Sequence, residues 1–221
     1  MSQVTIQITS DFICPWCFVA ERRLSHIIKK LTKTISFEII AQPYELNPTL
    51  STKGLNRKIY RSQKFGSWEN SILLDKKVIL ASTEDDTNFN FEKITVTPNT
   101  NKAHRLIWYI QQERKAEQLK ALGAIFSGYF TDGRDIGQTE VLADIISPLG
   151  FKKDKLINFL NSNEGKEEVA AQEKKANSLG IKGVPHIEIN GQSTYGAQPQ
   201  RIYEQLITKT AKNSETNKLV R

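Results

Sequence analysis

The sequence is poor in the residues that build metal sites and covalent cross-links. Its 221 residues include two cysteines, one methionine and three histidines. Two cysteines exclude a disulfide framework and any four-cysteine zinc site. No apolar run approaches the ~20 residues needed to cross a bilayer, so no membrane partner is expected. There is no internal repeat and no low-complexity tract. The opening Met1-Ser2-Gln3-Val4-Thr5-Ile6 lacks a basic region, a long apolar stretch and a small-residue cleavage site. The expectation is no secretory signal and a cytoplasmic protein, where lasting disulfides are rare.

Charge is less sparse. Lys and Arg number 31 against 24 Asp and Glu, a net +7, which raises nucleic acid as a partner. The basic residues are scattered, however. Arg22-Arg23, Lys76-Lys77 and Lys174-Lys175 each adjoin an acid, and no patch interleaves base-stacking aromatics with cations. They read as solvated helix faces, and no nucleic-acid partner is expected. A chain of this size buries roughly 70% of its unfolded surface without cross-links.

Periodicity gives the organisation. Residues 3–9 alternate through Val4, Ile6 and Ile8, and residues 34–41 through Ile35, Phe37 and Ile39, predicting two strands. Between them Cys17, Ala20, Leu24, Ile27 and Leu31 share one helical face. Near the other end His186 to Asn190 alternates, Gly191-Gln192 offers a turn, residues 193–195 return, and Pro199 opens a last helix. The middle has helical period, with candidates at 54–65, 68–80, 100–114, 116–130, 139–148, 153–161 and 165–179. Nested signals of this kind predict one α/β sheet interrupted by a large, all-helical insertion. The expected division is residues 1–44 with 181–211 for the sheet, 45–180 for the insertion, and a flexible tail over 212–221.

Cys14-Pro15-Trp16-Cys17 directly follows the first strand and opens the first helix. Cys14 then falls at the N-cap, where unpaired N–H groups and the helix dipole favour a thiolate. Pro15 occupies the first helical position at no cost in hydrogen bonds. A Cys14 thiolate would open a substrate disulfide, and Cys17, one turn on, would resolve the mixed disulfide. The bland alternatives are inert buried thiols, or half of a zinc site completed by His26, His104 or His186, none of which stands at ligand spacing with another. Gly183-Val184-Pro185 precedes the late strand. Proline there can be an edge device, but a cis bond before Pro185 would turn the Val184 N–H and C=O outward, where an extended substrate could pair with them.

These residues, with Pro43-Tyr44-Glu45-Leu46-Asn47-Pro48, Pro98-Asn99-Thr100 to Ala103-His104-Arg105, and Gly196-Ala197-Gln198-Pro199, stand in an order that resembles FrnE-type DsbA-family oxidoreductases. The resemblance runs from about Ile6 to Leu206. It implies a thioredoxin-like, DsbA-like fold with a helical insertion, a dithiol–disulfide site on Cys14 and Cys17, and a cis-proline at Pro185. The wider group includes 2-hydroxychromene-2-carboxylate isomerases and kappa-class glutathione transferases, which typically present serine where this chain has a thiol. Trp16 stands where DsbA proteins carry histidine and cannot supply its charge, and Asp11, if close, would oppose the thiolate. A weaker oxidant than DsbA is therefore expected. With two cysteines, a relay to a second internal pair is excluded.

The other candidates are less defined. Asn99 and Thr100 suit an N-cap, and with His104 and Arg105 they either cap and pack or form a polar cluster over the Cys14 cleft, Arg105 meeting a substrate or glutathione carboxylate. Trp108 and Tyr109 read as core, while Trp16 reads as an exposed apolar contact. Phe89 and Phe91 suggest a short strand or a wall of the same cleft. His186 is read as a hydrogen-bonded strand histidine. The expected function is a cytosolic protein-disulfide oxidoreductase or isomerase acting on protein or peptide thiols and disulfides. No bound cofactor is expected, with glutathione as a candidate reductant or co-substrate. The alternatives are a glutathione-linked small-molecule isomerase or transferase, and a non-catalytic binding module.

Overall fold

The structure, a computed structural model, describes residues 2–219, with side chains through Lys212. Strand β1 (Ser2–Ser10) is followed by helix α1 (Pro15–Leu31) and strand β2 (Ile35–Pro43), which pairs with β1 in parallel from Ser2↔Ile35 to Ser10↔Pro43. The chain returns to the sheet only with β5 (His186–Ile189) and β6 (Gln192–Tyr195), giving the order β2-β1-β5-β6. The antiparallel register Ile8↔Ile187 and Ile6↔Ile189 puts fully buried isoleucines side by side in the centre of the sheet, which fixes pairing because a one-residue slip would expose all of them. A hairpin turn at Asn190-Gly191, both with positive φ, joins β5 to β6.

Between the two halves of the sheet lie β3 (Leu55–Asn56), α2 (Arg57–Phe65), α3 (Trp68–Ala81), β4 (Val96–Thr97), α4 (Asn101–Arg114), α5 (Gln118–Phe130), α6 (Thr139–Ile146), α7 (Lys153–Asn161) and α8 (Lys166–Ser178). The expected helix over 54–65 therefore loses its start. Leu55 and Asn56 instead pair with Thr97 and Val96, and the Asn56 side chain caps α2 by accepting from the Ile59 N–H. The insertion is helical apart from this ribbon. Gly66, at φ 86°, ends α2 and turns the chain into α3, a conformation that disfavours any residue with a Cβ. Phe89 and Phe91 form neither a strand nor a wall of the cysteine cleft. They stack on each other at 4.9 Å and pack edge-on to Phe130, with Phe18 against Phe89.

The last helix, α9 (Gln200–Leu219), packs on β1 and α1 and continues through 212–219, where a tail was expected. Residues 220 and 221 lie outside the described residues. Tyr203 is fully buried, its hydroxyl donating to Gly196 O and accepting from the Gln198 N–H. Arg23 donates to Asp85, Ala197 O, Gln198 O and Ala81 O. The Gly196–Pro199 loop is thus a clamp between α1, α9 and the end of α3. Among the described residues no helix is long and apolar enough to cross a membrane.

Candidate active site

Cys14 stands at the N-cap of α1 with extended backbone (φ −94°, ψ 110°), and Pro15 takes the first helical position. The Cys14 N–H donates to Asp11 O and the Cys17 N–H to Cys14 O, each at 3.0 Å, so a turn holds both thiols at the end of β1. Cys14 is 8% exposed and Cys17 1%, whereas Trp16 between them is 36% exposed. One sulfur therefore borders the groove and the other is sheltered, while the indole between them in sequence is open to solvent.

The two thiols differ in acidity. Cys14 is lowered below the usual cysteine value, chiefly because the Cys17 thiol donates to it; burial opposes this. The Cys17 N–H favours the thiolate further, Asp11 works against it, and the Trp16 N–H adds a smaller favourable contribution. Cys14 makes no fully formed capping bond with its side chain, so these N–H groups act at longer range through their dipoles. Cys17 is pushed well above the usual value by burial first and by its bond to Cys14 second. Asp11 is thus near enough to oppose the thiolate, and is outweighed. The cause of the shift carries a test. Cys17→Ser keeps a donor, whereas Cys17→Ala removes it. Alkylation of reduced protein by iodoacetamide against pH is expected to rise at higher pH in Cys17→Ala than in Cys17→Ser. Coincident profiles would place the stabilisation in the helix terminus alone.

The Val184–Pro185 peptide is cis. The Cys14 thiol donates to Val184 O at 3.7 Å, across 170 residues of sequence. Pro185 O accepts from the Gly196 N–H, while the Val184 N–H has no partner among the described residues. One free main-chain donor therefore lies beside the nucleophile. A groove of about 350 Å³ opens next to Cys14, lined by Ile13, Pro15, Trp16 and Leu46 on one side and by residues of α2 and α3 on the other.

The remaining predicted residues fall elsewhere. Arg105 is buried, and its guanidinium donates to the carbonyls of Phe159, Leu160, Ser162 and Glu164, capping the C-terminus of α7. It does not line the Cys14 groove; its bonds go to the end of α7 and the turn that follows. Asn99 donates to Leu50 O and accepts from the Asn101 N–H, and Thr100, at the N-cap of α4, makes no side-chain cap bond. These residues tie the insertion together. His104 comes nearer. Its Nε2 is 3.5 Å from Asp11 Oδ1, with the ring 5.0 Å from that of Phe12, so it packs beneath the cysteine turn. Asp11 Oδ2 accepts from the Leu46 N–H at 2.7 Å, joining the Pro43–Pro48 segment to the cysteine turn. His186 is buried against Tyr195 at 4.7 Å, and its Nδ1 lacks the hydrogen bond expected for it; burial lowers its pKa. His26 lies beside Asp86, so the three histidines are in three separate places, and among the described residues no three metal-binding side chains converge.

Of the residues on the far wall of the groove, Lys77 reads in the sequence as solvated helix surface, and Arg61, Lys64 and Leu74 are not singled out there. A mixed pattern of apolar and basic residues on two short helices carries no mark of what it faces.

The chain has relatives of the same architecture. The uncharacterised protein YwbO of Bacillus subtilis is 22% identical over 95% of this chain and 98% of its own. A probable DsbA oxidoreductase, SCO1869 of Streptomyces coelicolor, superposes with a TM-score of 0.81 at 22% identity over 93% of this chain and 89% of its own. The 2-hydroxychromene-2-carboxylate isomerase gives 0.70 at 14% identity over 98% and 99%. The cytosolic disulfide reductase DsbM of Pseudomonas aeruginosa gives 0.65 at 15% over 98% and 100%. The model of the DSBA-like thioredoxin domain matches residues 5–208. With its four-stranded sheet, its helical insertion and its paired thiols at the head of α1, the chain belongs to the DSBA-like thioredoxin domain family.

Proposed function

We propose that the protein is a protein- or peptide-disulfide oxidoreductase working through Cys14 and Cys17. The observation that carries this reading is the split between the two thiols, one accessible and acidified, the other buried and held protonated against it. The Cys14 thiolate attacks one sulfur of a substrate disulfide, forms the mixed disulfide and releases the other sulfur as a thiolate. Cys17 then loses its proton and attacks Cys14 Sγ, expelling the second substrate thiolate. The substrate gains two electrons and the protein ends as the Cys14–Cys17 disulfide. Return to the dithiol takes two electrons from an external thiol, for which glutathione is the candidate; DsbM, a structural relative, is also known with GSH. Substrate main chain pairs with Val184, and the Trp16 indole supplies an apolar contact beside the nucleophile. The likeness to a cytosolic disulfide reductase favours the cytoplasm.

The isomerase likeness favours a second reading, in which Cys14 activates a glutathione-linked small molecule. Equilibration against glutathione buffers separates the two. The exchange reading requires a reversible Cys14–Cys17 disulfide and turnover of a disulfide-bonded peptide that depends on Cys17. Failure to form that disulfide, together with turnover of small electrophiles that survives Cys17→Ser, would sink it.

A further inference from the structure

The wall of the groove facing Cys14 is not neutral. Its apolar surface comes from Phe65, Leu74 and Val78, and its charged groups are Arg61, Lys64, Lys77 and a single acid, Asp75. Asp75 is buried and already shared: it accepts from Arg57 at 2.6 Å and from Arg61 at 2.7 Å, so one carboxylate stands against two guanidiniums. Arg61 is held further by Ser71, through Nε to the hydroxyl and Nη2 to the carbonyl, and lies 4.9 Å over the Phe65 ring. Its position is thereby fixed before any ligand arrives. Lys64 meets the Tyr60 hydroxyl at 3.1 Å. Among the described residues neither Lys64 nor Lys77 forms an ion pair with a carboxylate. The groove therefore combines an apolar floor with an uncompensated positive rim, one edge of which is the nucleophile.

A volume of about 350 Å³ is near the lower end of small-ligand sites, which run from roughly 300 to 1,000 Å³. It accommodates a short stretch of extended chain. An apolar residue beside the substrate half-cystine would fill the floor, and a carboxylate close by would meet the two lysines. A basic segment would bring like charge against a rim with no acid free to answer it.

We propose that Arg61, Lys64 and Lys77 make the exchange site selective for disulfides in acidic, apolar peptide segments, Lys64 and Lys77 contacting the substrate carboxylates. This rests on the disulfide-exchange reading above.

The test uses the full-length protein and three peptides that share a disulfide and a neighbouring leucine, with flanks of Glu, Gln or Lys. Reduction is followed at low ionic strength with glutathione as the external thiol. The expected result is a kcat/KM about tenfold higher for the Glu peptide than for the Lys peptide, shrinking at high salt. In K64E/K77E the order should invert, with an unchanged unfolding midpoint showing that the fold is intact. Equal rates for the Glu and Lys peptides, a preference for Lys, or a Glu preference that persists in K64E/K77E would each overturn the inference while leaving disulfide exchange standing. No turnover of any of the three peptides would instead overturn the exchange reading, and this inference with it.

Discussion

Cys14→Ser is expected to lower peptide-disulfide turnover by on the order of 10³-fold or more, because a serine hydroxyl cannot replace a thiolate in attacking sulfur. The accompanying Cys17→Ser variant should behave differently. It keeps the nucleophile and loses the group that resolves the intermediate, so it should react once and stop as a mixed disulfide, visible by mass as protein plus substrate. The two variants together assign the order of events. Cys14 sits at the mouth of a groove, and Cys17 lies behind it at 1% exposure, so substrate sulfur reaches only the first. Cys14→Ser that retained turnover, or Cys17→Ser that cycled freely, would remove the dithiol from the mechanism. The glutathione-linked small-molecule reading would then become the better account of the protein.

Arg105→Ala should produce a large loss of stability although the residue lies outside the sheet. The side chain donates to four carbonyls at 2.9–3.3 Å and lies 5.3 Å over the Phe159 ring. Its removal leaves the end of α7 and the following turn without donors in a buried setting. A loss of about 3 kcal/mol is expected, which for a chain of this size lowers the melting temperature by roughly 10 °C. Arg105→Lys should recover little, since one ammonium cannot span the four acceptors. Chemical denaturation measures the effect. Had Arg105 bound glutathione, the same variant would raise KM for glutathione and leave unfolding unchanged, so the two measurements separate the roles.

The contrast between Arg105 and Cys14 shows what the sequence discloses. The cysteine pair is legible because strand, thiol, proline and helix stand in one short run and each constrains the next. The sheet is legible for a similar reason: Val4, Ile6, Ile8, Ile187 and Ile189 alternate with the strand period and bury completely. Arg105 is illegible because its partners are backbone carbonyls, which have no letter in a sequence. A buried arginine and a substrate-binding one look identical there. Leu55–Asn56 was missed because two paired residues are too short to show alternation. The charged rim was missed because Arg61, Lys64 and Lys77 lie on helices whose exposed and groove-facing sides have the same composition. Asp11 lies between these cases. Its proximity to Cys14 follows from three residues of spacing, but its bond to the Leu46 N–H depends on a strand end that periodicity does not place.

The contact between Cys14 and Val184 O, 170 residues apart, has a consequence for biosynthesis. A ribosome adding roughly 5–20 residues per second needs about 10–30 s to travel that distance. For most of that interval the nascent chain carries β1, α1 and β2 without the strands that complete their sheet, and both thiols are present before the Val184 loop exists. A chain that must wait so long with its nucleophile made and its pocket missing is exposed to premature oxidation and mispairing, and a reducing environment during translation is what would protect it.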